Sequence, residues 1–301
     1  MRLLIIGGSG FVSGTLAREA LQAGWEVTVV TRGQRPMPEG AACIRADRND
    51  PAAFARAMKE QPGDWDLVAD CIGMTPEHAE QDIELWSGRA GRFVFVSTDF
   101  VYDYRDRQRP QAEYDARFAE EGYGGAKRLA EEVLLWADPV RLPWTILRPS
   151  HIYGPGSLLG CLPLQSRDPE LLERLRRGEP LRLLDGGRLL QHPIFAADLA
   201  RTILSVPAAP GVTGQILNVA GPDVVVSSRY YEVIAEAVGA TVSIESIDLE
   251  GHLLAHPEQG PFCCDRVYDM TALSRSGLAI PTTRLHDGLR EQVQALEKAP
   301  F

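Results

Sequence analysis

A chain of 301 residues with 45% hydrophobic and 24% charged side chains holds enough apolar material for one large domain or two unequal ones sharing an edge, and its composition excludes a disordered chain. The net charge of −10 argues against broad binding to a phosphate backbone, so no nucleic-acid partner is expected. No apolar run reaches the ~18 residues of a membrane-spanning helix, which excludes a membrane span of that kind.

In chain order, Arg2–Ile6 reads as a strand and Gly10–Ala23 as a helix. Strands follow at Glu26–Thr31, Ala42–Ala46, Asp66–Ile72 and Phe93–Ser97, with helices between them at Pro51–Lys59 and Pro76–Trp86. Strands alternating with helices of this length predict βαβ units, a parallel sheet and a doubly wound α/β layout with ligands at the carboxyl ends of the strands. A helix from Gly122 to Trp136 leads to a strand at Thr145–Arg148, closed by Pro149. Beyond it the pattern loosens: Asp168–Arg177, Ser227–Val238 and Thr283–Leu296 read as helices and Gln215–Val219 as one more core strand. The expected organisation is a dinucleotide-binding domain over 1–150, with 190–220 returning to the core. Residues 151–189 and 221–301 form a smaller, interleaved substrate-binding lobe.

The basic clusters Arg105/Arg107/Arg109 and Arg174/Arg176/Arg177 are interleaved or flanked by acids and read as solvated faces. The five cysteines, Cys43, Cys71, Cys161, Cys263 and Cys264, are odd in number and lack metal-ligand spacing. Reduced thiols, no metal and a cytoplasmic location are expected, with no signal peptide at the apolar start Leu3–Ile6.

Gly7-Gly8-Ser9-Gly10-Phe11-Val12-Ser13-Gly14 lies between the first strand and the first helix. Glycines there permit a tight turn and close approach to a pyrophosphate, and the amides of the helix start receive the anion. Gly7, Gly10, Phe11 and Val12 are therefore assigned to a dinucleotide. Ser13 stands where the last glycine of a Gly-x-x-Gly-x-x-Gly pattern would be. The second strand ends in Thr31-Arg32-Gly33 rather than in a carboxylate that would bind a ribose hydroxyl. Arg32 can pair with a 2′-phosphate, so NADP(H) is favoured, and NAD(H) stays open. Asp47 is assigned either to the adenine amino group or to capping its own loop.

Tyr123-Gly124-Gly125-Ala126-Lys127 opens a helix, and the four-residue spacing puts both side chains on one face. A nearby ammonium favours the phenolate, which fits Tyr123 to proton transfer, and Lys127 can also hold ribose hydroxyls. Thr98, in the run Ser97–Tyr102 at a strand end, can hydrogen-bond the reacting oxygen. Asp99 reads as a proton donor or a plain turn residue. Arg148, at a strand end facing the cleft, is assigned to an anionic ligand group of cofactor or substrate, with a structural ion pair left open.

With these motifs in place, the chain resembles an extended short-chain dehydrogenase/reductase of the NAD(P)-dependent epimerase/dehydratase family, with a Rossmann-type fold. The likeness extends from the glycine turn through STDFVY and YGGAK to Leu147-Arg148-Pro149, Ile152-Tyr153-Gly154, Phe195–Ala200 and Leu217–Gly221. The resemblance implies Thr98, Tyr123 and Lys127 as the catalytic triad and a homodimer through two core helices. It also implies a hydride-transfer enzyme, epimerase or oxidoreductase, acting on a sugar-like hydroxyl or carbonyl. Phe100 stands where the 4,6-dehydratases of the family carry a glutamate, so water elimination is not expected. Gln191, followed by His192, stands where many members have an arginine for a substrate diphosphate, which counts against a nucleotide-sugar. The chain also resembles the plant stem-loop RNA-binding branch of the superfamily, which keeps a second reading: a non-catalytic NADP-binding regulatory or RNA-binding protein.

Overall fold

The computed structural model describes residues 1–61 and 63–298. The first half alternates β1 (Arg2–Ile6), α1 (Phe11–Gln22), β2 (Glu26–Thr31), β3 (Ala42–Arg45), α2 (Pro51–Lys59), β4 (Leu67–Asp70), α3 (Pro76–Trp86), β5 (Phe93–Val96), α4 (Gly122–Leu135) and β6 (Trp144–Pro149). Local signals fix several of these ends. Asp50 accepts from the Ala53 amide at 3.0 Å ahead of Pro51, and Thr75 caps α3 ahead of Pro76.

A seven-stranded sheet forms among the described residues in the order Gln215–Val219, β6, β5, β4, β1, β2, β3. Every pairing in it is parallel. A parallel sheet is covered on both faces, and the strands alternate between two cores accordingly. Leu3 and Ile5 pack with Leu16, Ala20, Leu199 and Ile203 on one face, while Leu4 and Ile6 pack with Phe54, Trp86 and Leu134 on the other. Each such buried aliphatic side chain contributes about 1.5–3 kcal/mol. The strand order reverses between β1 and β4, the point at which a doubly wound sheet places its ligand crevice, at the carboxyl ends.

The second half builds a third core around Tyr153, Leu171, Leu181, Tyr230, Ile234 and Leu289. Helices Leu171–Arg176, Ser227–Ala237 and Leu285–Lys298 enclose it, and strand Leu181–Leu184 pairs in parallel with Ile244–Ile247. The helix Ala196–Ser205 has no counterpart in the sequence expectations; Phe195 precedes it without a side-chain cap, so no start signal marks it. Pro149 continues β6 opposite Val219 rather than closing it. No helix among the described residues is long and apolar enough to cross a membrane.

The glycine turn depends on backbone freedom. Gly8 has φ +112°, and a Cβ on it would stand 2.4 Å from the Val29 Cβ. Gly8→Ala is therefore expected to cost about 2–4 kcal/mol through strain and overlap, read as a lowered Tm by circular dichroism.

Candidate active site

A cleft of about 1070 Å³ opens at the carboxyl ends of the strands. Phe11 and Val12 enter it from the start of α1, Thr98 to Phe100 from the end of β5, and Tyr123 from the start of α4. The first turn of α1 holds no acidic residue and no side-chain cap, which leaves its amides suited to an anion. Ser13 turns its Oγ back to accept from the Gly10 amide at 3.2 Å, which braces the loop. At the end of β2, the Thr31 hydroxyl meets the Ser9 hydroxyl at 3.3 Å and accepts from the Gly33 amide. Arg32 is exposed and forms no ion pair among the described residues. Arg45 lies across Gly33, its Nε 3.1 Å from where a Cβ would stand, a second guanidinium that sequence reading did not single out. The Asp47 carboxylate caps its own loop, accepting from the Asn49 amide and side chain at 3.0 and 3.1 Å.

Tyr123 is 47% exposed into the cleft and meets the Phe100 ring edge-on at 6.1 Å. Its phenol lies above the ordinary value: partial burial is the main cause and the Asp99 charge adds to it, while a hydrogen bond with Thr98 pulls the other way. Thr98 also accepts from the Phe100 amide at 3.2 Å. Lys127 is 2% exposed; its ammonium donates to the Val96 carbonyl at 2.7 Å and sits 4.6 Å over the Phe95 ring. Burial pushes it down to about 8, against the charge of Asp70. Asp70 is in turn held by Arg48 at 2.6 Å, which also reaches Asp82 at 3.3 Å. The Lys127 ammonium is turned to the strand rather than to the phenol, and it is not among the groups that act on Tyr123.

Asp99 is neither a proton donor nor a plain turn residue. Its buried carboxylate receives Arg266 Nε and Nη2 at 2.8 and 2.7 Å and the Tyr268 hydroxyl, with Arg107 at 3.6 Å. Burial alone would raise its pKa, yet the arginines and the hydroxyl outweigh burial and hold it below the usual range. The assignment of Arg148 to a ligand is also corrected. Arg148 is 1% exposed and bonds Glu131 twice, at 2.9 and 2.6 Å, the Tyr102 hydroxyl at 3.0 Å and the Glu113 carbonyl at 2.9 Å. It is a structural ion pair behind the cleft wall. Gln191 is fully buried outside the cleft lining, and His192 is a structural bridge between the Gly221 carbonyl and the Tyr268 amide.

Sequence reading missed Arg266, Tyr268, Arg167, Phe262 and His151. Arg266 and Tyr268 come from a loop far along the chain, and no motif announces them. His151 lines the cleft and is pushed down to about 3, by burial first and then by Arg266, so it is neutral.

Comparison with known proteins places this geometry among relatives. The model of the NAD dependent epimerase/dehydratase family matches residues 3–220. The chain is 26% identical over 253 residues to the chloroplast stem-loop binding protein of 41 kDa b of Arabidopsis thaliana, covering 79% of this chain and only 63% of that protein. It is 29% identical over 237 residues to a 2-alkyl-3-oxoalkanoate reductase of Stenotrophomonas maltophilia, covering 70% of this chain and 67% of the relative. In three dimensions it resembles a UDP-glucose 4-epimerase of Thermotoga maritima crystallised with UDP-glucose. That match has a TM-score of 0.77 over 99% of each chain, at 20% identity.

Proposed function

The chain belongs to the NAD dependent epimerase/dehydratase family, and from that premise we propose that it is an NADP(H)-linked oxidoreductase or epimerase acting on a hydroxyl or carbonyl of a small, sugar-like molecule. The observation that carries the reading is one cleft holding the Thr98–Tyr123 pair beside the glycine turn. The residues fit the dinucleotide: the α1 amides suit its pyrophosphate and Arg32 and Arg45 suit a 2′-phosphate, while Lys127 would have to turn from the Val96 carbonyl to reach the ribose. Such a cofactor supplies or accepts the hydride.

Tyr123, held neutral, donates its proton to a carbonyl oxygen, and Thr98 hydrogen-bonds the same oxygen. Phe100 offers no carboxyl, and Asp99 is fixed as an ionised partner of arginines, so these two positions do not supply an acid and a base for water elimination. The exposed acidic rim of Glu120, Glu121 and Glu258 does not suit a nucleic-acid backbone. Residues 151–189 and 221–298 serve as the substrate-binding lobe in this reading; 299–301 lie outside the described residues.

The test is NADPH consumption over a panel of sugar-like ketones, with Tyr123→Phe as the control; no turnover with any member removes the proposal. For the cofactor, NADP(H) is expected to bind more tightly than NAD(H), and Arg32→Ala to narrow the difference by roughly tenfold. Isothermal titration reads both, and tighter NAD(H) binding by the wild type would reverse the assignment.

A further inference from the structure

Beneath the acidic rim of the cleft, two buried guanidinium groups meet one buried carboxylate. The Arg266 and Arg107 side chains are almost wholly covered, and both turn to one carboxylate, Asp99. Two guanidinium charges thus share one buried carboxylate; Arg107 is further held by the Tyr268 hydroxyl at 2.9 Å and the Asp99 carbonyl at 2.8 Å, which leaves Arg266 as the one that faces the cleft. Arg266 lines the cleft, its guanidinium carbon 5.0 Å from the Phe100 ring, and the same ring meets Tyr123. Arg167 lines the cleft from the other lobe, exposed, and near enough to Tyr123 to draw its phenol down. It forms no ion pair among the described residues, and its backbone is held at φ 49°, a strained setting for a side chain of this kind. Ser150, 5% exposed, is another lining residue of the cleft, and its buried hydroxyl has no hydrogen-bond partner among the described residues. Asp103, the remaining covered acid of the cleft, is already paired with Arg105 and Arg117.

We propose that this end of the cleft receives a small oxyanion, a carboxylate or phosphate borne by the substrate a few bonds from the carbonyl that Tyr123 protonates, with Arg266, Arg167 and Ser150 as its partners. The inference rests on the reductase reading above and narrows its substrate class. Because Arg266 is one phenylalanine ring from Tyr123, the anion sits close to the reacting carbon rather than at the far end of a long substrate.

The experiment compares NADPH-dependent reduction by the full chain of two pairs: 3-oxooctanoate with its methyl ester, and dihydroxyacetone phosphate with dihydroxyacetone. In at least one pair the anion is expected to be favoured roughly tenfold to hundredfold in kcat/KM, and the responding pair tells carboxylate from phosphate. Arg266→Gln and Arg167→Gln should each cut that ratio by about tenfold. A ratio near one in both pairs, or a ratio that neither variant moves, overturns the proposal. Arg167 supports no ion pair, so its variant keeps the test open if Arg266→Gln does not fold. If none of these compounds is reduced, isothermal titration of the same pairs separates the two readings. Selective binding of an anion upholds the oxyanion site while the reductase reading falls, and equal or absent binding overturns the site.

Discussion

Tyr123→Phe is expected to lower turnover by about 10²–10⁴-fold while leaving the fold and dinucleotide affinity nearly unchanged. The substitution removes one hydroxyl from a residue that is 47% exposed, so no core contact is lost. What is lost is the proton donor and its hydrogen bond with Thr98. Thr98→Val should cost less, because it removes a single hydrogen bond of about 1–3 kcal/mol and leaves the acid in place. Near-wild-type turnover by Tyr123→Phe on any reducible ketone would show that the Tyr-x-x-x-Lys arrangement does not perform the chemistry.

The pH profile gives a second handle, and its sign follows from the two displaced groups. The phenol lies above its ordinary value, so below that pKa it keeps its proton and reduction should show no tyrosine-dependent loss through neutrality. Lys127 is pushed down to about 8, so its charge is present below that pH and is lost as pH rises through it. If the ammonium holds the ribose, dinucleotide affinity should weaken across that window, and Lys127→Met should abolish this dependence. The groups whose charges act on Lys127 are Asp70, Cys71, Glu131 and Arg48. Affinity independent of pH from 7 to 9 in the wild type would remove Lys127 from the binding role.

The parallel sheet was legible because its signals are local. Apolar runs such as Leu3–Ile6, the proline-started helices at Pro51 and Pro76, and the glycine turn each read within a few residues. The pair Thr98 and Tyr123 was legible for the same reason, as side chains placed by a strand end and a helix start. The arginine end of the cleft was not legible. Arg266 reaches Asp99 across 167 positions of sequence, and only the packing of a loop after residue 260 brings them together. The lysine illustrates the same limit differently: spacing puts Lys127 on the helix face of Tyr123, but the buried Val96 carbonyl decides where its ammonium points. Helix Ala196–Ser205 escaped because tertiary packing, with Leu199 and Ile203 at 0% exposure, holds a segment that lacks a start signal.

Arg148→Met is expected to destabilise the fold by about 3 kcal/mol, the lower end of the usual cost of removing one member of a buried ion pair, because Arg128 stays beside Glu131. Glu131 is fully buried, and Arg148 donates to both of its oxygens; the substitution leaves it the Ser97 hydroxyl at 2.6 Å and Arg128 at 3.2 Å. The Tyr102 hydroxyl, which donates to Asn218 at 2.6 Å, and the Glu113 carbonyl each lose an arginine donor as well. Methionine fills much of the volume, so the loss reports the charge rather than a cavity. Arg148→Met/Glu131→Leu should recover much of it, since an apolar pair of similar volume replaces a buried ionic one at little net cost. Urea unfolding of the wild type, the single and the double variant measures both terms. A single variant within 1 kcal/mol of the wild type, combined with a large loss of cofactor or substrate affinity, would return Arg148 to the ligand-binding role that its buried geometry opposes. The same pair also bears on catalysis: Glu131 holds Ser97, the residue before Thr98, so a loosened Glu131 should lower turnover in the single variant in proportion to the lost positioning of the Thr98 hydroxyl.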